Sequence, residues 1–238
     1  MRISVGSLSF LLFALLLHTA LFAQPAPKVY DARNTDHPNR HQEIKLSERY
    51  FVLTEYESDP ANFIRTLGGF YSADTDSLHV SLEFNSNFAN DSIQEVHYKY
   101  ERSGDSFILN GDKAYLFSPD TKKPQALDGS WLFATRGPDT GQERRGNETP
   151  RKTLKLLQDG HFQWIAYNTE TMQFFGTGGG LYTAVDGSYT EIIHYFSRDN
   201  TRVGAVLDFT YEIVGDDWHH TGKNSKGEPL YEIWARRE

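Results

Sequence analysis

Glu191 is the side chain with the strongest claim to chemistry. It falls in the alternating run Tyr189-Thr190-Glu191-Ile192-Ile193-His194-Tyr195, whose odd-numbered positions share one strand face. A stretch 111 residues earlier carries Leu78, Val80, Leu82 and Phe84 at the same positions, a plain core face. If both faces point inward, a carboxylic acid stands among aromatic rings where its counterpart keeps valine. Desolvation there raises a carboxyl pKa toward values useful in proton transfer. The plainer reading makes Glu191 a structural group, paired with an interior arginine or a tyrosine hydroxyl.

Neighbouring segments offer partners for Glu191. Trp164, Tyr182, Tyr189, Tyr211 and Trp218 are candidate lining residues, and all four tryptophans of the chain lie at or beyond Trp131. Aromatic faces suit sugars and other flat or amphipathic ligands. His161 or His220 is the acid/base partner expected for Glu191. Arg144, Arg145 and Arg151 fall in a short basic stretch, and their guanidinium forks fit a carboxylate, sulfate or phosphate on an incoming ligand.

Two function classes use these residues. One is binding of a small amphipathic or anionic molecule, an acidic saccharide included. The other is a carbohydrate lyase or dehydratase working by β-elimination on uronate-containing oligosaccharides, with Glu191, His220 and Tyr182 as catalytic groups. A third reading is a structural or partner-binding envelope module, for which the sequence names no partner.

Other chemistries lack their residues. His219 and His220 alternate to opposite faces and no His-x-His or His-Glu-x-x-His occurs, so no metal site is expected, and no cofactor. Gly176-Thr177-Gly178-Gly179-Gly180 has no following Lys-Ser/Thr or helix, which excludes a P-loop and points to a strand with a bulge. There is no Gly-x-Ser-x-Gly. A net charge of −8 argues against nucleic acid as a partner.

The elements that must position these groups are duplicated. Gly68-Gly69-Phe70-Tyr71-Ser72-Ala73 returns as Gly179-Gly180-Leu181-Tyr182-Thr183-Ala184, and over residues 46–111 against 157–222 the identities number 16 of 66 in constant register. Such self-similarity reads as a repeated β-unit. Period-two alternation between Gly, Asp and Asn turns predicts about eight antiparallel strands in the second copy, near 129–135, 153–158, 161–167, 174–184, 188–197, 205–214, 218–222 and 230–236. The first copy predicts strands near 42–48, 50–57, 63–73, 78–85, 94–102 and 106–117, an extra edge strand at 28–32 and a short helix near 59–64.

Gly129-Ser130-Trp131 opening the second meander, with Arg236 on its last strand, resembles the calycin or lipocalin-like pattern. Residues 127–238 are similar to a secreted bacterial lipocalin-like domain family of uncharacterised function. The resemblance carries Thr153-Leu154-Lys155, Gly180-Leu181-Tyr182-Thr183, Tyr189-Thr190-Glu191 and Tyr231-Glu232-Ile233-Trp234. It implies a barrel plugged at one end by Trp131 beneath a cation, with a ligand cavity at the other. The first copy has no tryptophan and so no Gly-x-Trp.

The expected architecture is all-β. It consists of two tandem antiparallel lipocalin-like barrels, or alternatively one larger barrel or sandwich, divided as 24–118, a linker at 119–126, and 127–238. Arg2 and the apolar run from Leu8 to Ala23 read as a signal peptide over 1–23, which predicts a secreted or periplasmic protein with no span after cleavage. With no cysteine the chain has neither disulfide nor lipoprotein anchor, and its stability must come from its core.

Overall fold

Strands alternate along nearly the whole chain because its apolar side chains recur every second residue between turn-forming residues. A computed structural model describes residues 25–33, 37–110, 114–224 and 227–237; the proposed leader lies outside them. Eight strands close the first barrel: β1 (Val29–Arg33), β2 (Arg40–Leu46), β3 (Tyr50–Ser58), β4 (Ala61–Ala73), β5 (Ser77–Asn85), β6 (Glu95–Ser103), β7 (Ser106–Asn110) and β8 (Ala114–Pro119). Eight more close the second: β9 (Gly129–Arg136), β10 (Arg151–Gln158), β11 (His161–Asn168), β12 (Phe174–Val185), β13 (Ser188–Phe196), β14 (Val206–Val214), β15 (Asp217–Lys223) and β16 (Pro229–Arg236). The protein is therefore two lipocalin-like antiparallel barrels in tandem, which settles the choice between paired barrels and one shared sheet.

Three local expectations are corrected. The segment expected at 28–32 as an extra edge strand is β1, paired with β2 on one side and β8 on the other, so it is an integral strand of the closed barrel. The 59–64 segment is the turn between β3 and β4 and the start of β4, not a helix. The 106–117 segment is two strands, β7 and β8, and the second pairs with β1 to complete the first barrel. That barrel closes without a tryptophan. Tyr30 takes the place of Trp131, and it meets Phe107 edge-on at 4.8 Å as Trp131 meets Trp218 at 5.7 Å. Arg236 covers Trp131 with its guanidinium 4.1 Å from the ring centroid.

The glycine pair is a bulge in both copies. Register slips between Gly68 and Gly69 against β5, and between Gly179 and Gly180 against β13. A Cβ on Gly180 would stand 2.1 Å from the Ile192 carbonyl oxygen, so only glycine allows the strands this close. The extra residue reverses the alternation after Leu82 and after Ile193. Phe84 and Tyr195 thus leave the inward faces assigned to them from sequence and turn against the opposite barrel.

The barrels meet along an approximate two-fold axis. Tyr56 packs on Tyr195 at 4.8 Å and 37°, and the equivalent residues Tyr167 and Phe84 pack at 5.1 Å and 42°. Phe63 stacks on its own counterpart Phe174 at 6.4 Å. Such isologous contacts are those of a symmetric dimer, here formed within one chain. One half of the interface clusters Tyr50, Val52 and Phe84 against Leu154, Leu156, Ile165 and Tyr167, with both tyrosine hydroxyls donating to Glu83, which Arg237 pairs at 2.8 Å. In the other half Glu43 and Lys45 replace the two leucines, facing His161 and Tyr195.

Candidate functional site

Interior side chains come from the same strand positions in both barrels but build different layers. In the first, Ile44, Val80, Phe107, Leu109 and Phe117 form an apolar floor. Their equivalents in the second are Lys155, Glu191, Trp218, His220 and Trp234. Lys155 Nζ donates to Glu191 at 2.9 Å and lies over Tyr189, Trp218 and Trp234 at 4.9–5.2 Å from the ring centroids. Tyr189 donates its hydroxyl to the same carboxylate at 2.8 Å. Glu191 does point inward, at 4 % exposure, and is held by a cation and a hydroxyl.

Burial sets the titration of this layer. It raises the Tyr189 hydroxyl well above its ordinary value, with the Glu191 charge adding to the effect. It lowers His220, and the Lys155 cation pushes in the same direction. Burial alone would raise Glu232, but the neighbouring His220 and Lys155 outweigh it and leave the carboxyl below its usual range. His220 Nδ1 is 3.6 Å from Glu232, too far for a hydrogen bond, and neither ring nitrogen has a hydrogen-bond partner among the described residues.

The remaining sequence candidates are dispersed. Trp164 packs edge-on against Phe196 inside the second barrel, and Tyr211 lies against the same core. Tyr182 donates to Asp128 near the Trp131 plug, and burial followed by that bond raises its hydroxyl far above the ordinary value. His161 faces the first barrel, 3.1 Å from Glu43, so it does not share an interior with Glu191. Arg144 binds both oxygens of Asp217 at 2.8 Å. Arg145 lies over Phe133 at 5.3 Å and Arg151 over Phe175 at 3.9 Å. All three arginines engage groups of the chain itself.

The first barrel is open where the second is filled. A cup of about 750 Å³ is lined by Leu53, Val96, Tyr98, Leu109, Tyr115 and Phe117, with Gln42 and Asn110 as polar points. At its wall Glu55, 1 % exposed, is bonded by Arg40 at 2.8 Å and by Arg65 Nε at 2.5 Å. The two guanidinium side chains remain 36 % and 46 % exposed. The corresponding positions of the second barrel explain the contrast. Leu53 becomes Trp164, Glu55 becomes Ala166, Arg65 becomes Gly176 and Tyr98 becomes Phe209. An indole fills the space and the acid–arginine pair is gone.

No known family model matches the chain, and no curated protein gives a significant match. A second depression of about 660 Å³ runs from the inter-barrel segment over β12 and β13, past Leu181, Val185, Ile192 and Tyr211. Its one nearby paired charge, Lys122, is bonded to Asp120. It lacks the converging charged groups of the cup.

Sequence reading missed Arg40, Glu55 and Arg65. Their signal was present: Arg40, Gln42 and Glu55 stand at interior positions of a copy otherwise read as scaffold. Among the described residues no group of three or more His, Asp or Glu side chains is arranged around a shared metal position, and no helix is long and apolar enough to cross a membrane.

Proposed function

We propose that the protein binds a small amphipathic anion in the cup of the first barrel. The observation that carries this reading is the pair of half-exposed guanidiniums, Arg40 and Arg65, sharing one buried carboxylate above an apolar floor. The two guanidiniums converge on one buried carboxylate, and although the exposed Glu95 also borders the cup, their remaining N–H donors face space large enough for a ligand of modest size. An acid head group would displace neither arginine from Glu55, because each guanidinium carries further N–H donors. The aliphatic or aromatic body of the ligand would cover Leu53, Leu109 and Phe117.

Export of the chain by its N-terminal apolar run, and a calycin relationship resting on Gly129, Trp131 and Arg236, belong to the same reading. The second barrel serves it as a closed partner. Glu191, His220 and Tyr182, the groups that elimination chemistry would use, are each buried to 4 % exposure or less.

Anilinonaphthalene sulfonate, itself an amphipathic anion, is a direct probe. One site per chain is expected, weakened at least ten-fold by Arg40→Gln combined with Arg65→Gln and by Leu53→Trp, which places an indole in the cup. Arg144→Gln and Arg151→Gln should leave it unchanged. Retention of full affinity in both cup variants would remove the proposal.

A further inference from the structure

We propose that His79 and His97 form a binding site for a divalent transition-metal ion of the zinc, copper or nickel type on the outer wall of the first barrel. The two residues are directly opposite each other in the β5–β6 ladder. Opposed residues on antiparallel strands bring their Cβ atoms close, so the ring nitrogen nearer the backbone is the one that meets its partner. Their Nδ1 atoms face each other at 2.5 Å, with the rings 79° apart.

His79 Nε2 is 3.2 Å from Asp74 Oδ2, which holds the proton on that nitrogen and leaves Nδ1 as a lone pair. Glu95 stands 4.0 Å from His97 Nε2, beyond hydrogen-bond reach, and does not fix the tautomer of that ring. A carboxylate behind the distal N–H is the arrangement that orients metal-ligating histidines and raises their basicity. With a lone pair on His79 Nδ1, what joins the two nitrogens is either the His97 Nδ1 proton or, once that proton has left, a metal cation. Two metal–nitrogen bonds of about 2.0–2.1 Å at a near-tetrahedral angle separate the nitrogens by about 3.3 Å, so a ring shift of under about 1 Å admits the ion.

Imidazole pairs select zinc, copper and nickel over magnesium and calcium, which require cages of oxygen. Water would complete the coordination, since the rings are 40 % and 61 % exposed. The equivalent pair in the second barrel is Thr190 and Asp208, which hydrogen-bond to each other at 2.8 Å. Duplication thus left an imidazole pair on one barrel and a closed neutral–acid contact on the other. Glu95 and His97 also border the cup, but the paired rings stand beside Phe70, Tyr71 and Ser72 on the outer face of the strands.

The test is calorimetric titration of the untagged chain with Zn²⁺ and with Cu²⁺ in a non-coordinating buffer, with electron paramagnetic resonance on the copper form. One ion per chain is expected, with two equatorial nitrogens, and no heat from Mg²⁺ or Ca²⁺. His79→Ala or His97→Ala should abolish that site, and Asp74→Asn should weaken it ten- to a hundred-fold. Both rings are exposed, so an unchanged unfolding curve will show that these variants fold. His219→Gln should bind as the parent does. Absence of binding by the parent chain, or undiminished binding by His79→Ala and His97→Ala, overturns the proposal and leaves the pair a simple N–H···N hydrogen bond.

Discussion

The two barrels share a winding, a bulge and an end plug, yet they place their buried charge at different depths. The second barrel puts Lys155 and Glu191 in the central layer and surrounds them with tryptophan and tyrosine. The first keeps Ile44 and Val80 there and moves its acid, Glu55, up the wall to meet two arginines. A charge buried among rings must be satisfied by the protein itself, so the layer closes. A charge near an open end leaves its cations partly in water, where a ligand can reach them. The difference teaches that a polar group inside a barrel marks a site only when space adjoins it.

The sharpest way to break this comparison is to exchange the central layers. Glu191→Ala leaves Lys155 buried without its counter-ion and should cost about 3–5 kcal/mol in denaturant unfolding. Lys155→Ile with Glu191→Val gives the second barrel the side chains of the first and should recover most of that loss or exceed the parent stability. If the double variant is as unstable as the single one, the ion pair is not a replaceable core element.

A smaller effect is expected at the wall of the first barrel. Glu55→Gln removes the anion shared by Arg40 and Arg65, and because both cations are more than one-third exposed, hydration limits the stability cost to about 1–2 kcal/mol. Anilinonaphthalene sulfonate should then bind several-fold more tightly. Weaker binding in this variant would show that Glu55 contacts the ligand directly.

The smallest effect separates the two floors by pH. Burial lowers the folded pKa of His220, so near pH 6 the unfolded chain carries more protons on this residue than the native one. Stability from this source is present at neutral pH and is lost as acidification passes through the ordinary histidine value near 6.5, at up to about 1.4 kcal/mol per pH unit. His220→Leu, which imports the equivalent Leu109, should flatten that part of the curve. An unchanged slope between pH 7 and 6 would mean that His220 is hydrated in the native state.

Much of the frame was legible from sequence because it rests on local rules. Alternation gave the strands, the constant offset gave the duplication, and Gly179-Gly180 gave the bulge. Glu191 was read inward, and it is. The consequence of the bulge for Phe84 and Tyr195 was not legible, because a single extra residue reverses every later side chain on the strand. His161 was assigned to a cavity because an isolated strand does not tell which wall will meet a second barrel.

The sequence by itself determined that this chain repeats, that each copy is an antiparallel meander, and which residues alternate toward a core. Those properties follow from period and turn chemistry, which act within a few residues. Only the tertiary structure decided which barrel is full and which is open, since that depends on the summed volume of side chains arriving from eight strands. It also decided that Arg40, Glu55 and Arg65 converge, and that His79 faces His97, because register across a ladder joins residues that are distant along the chain.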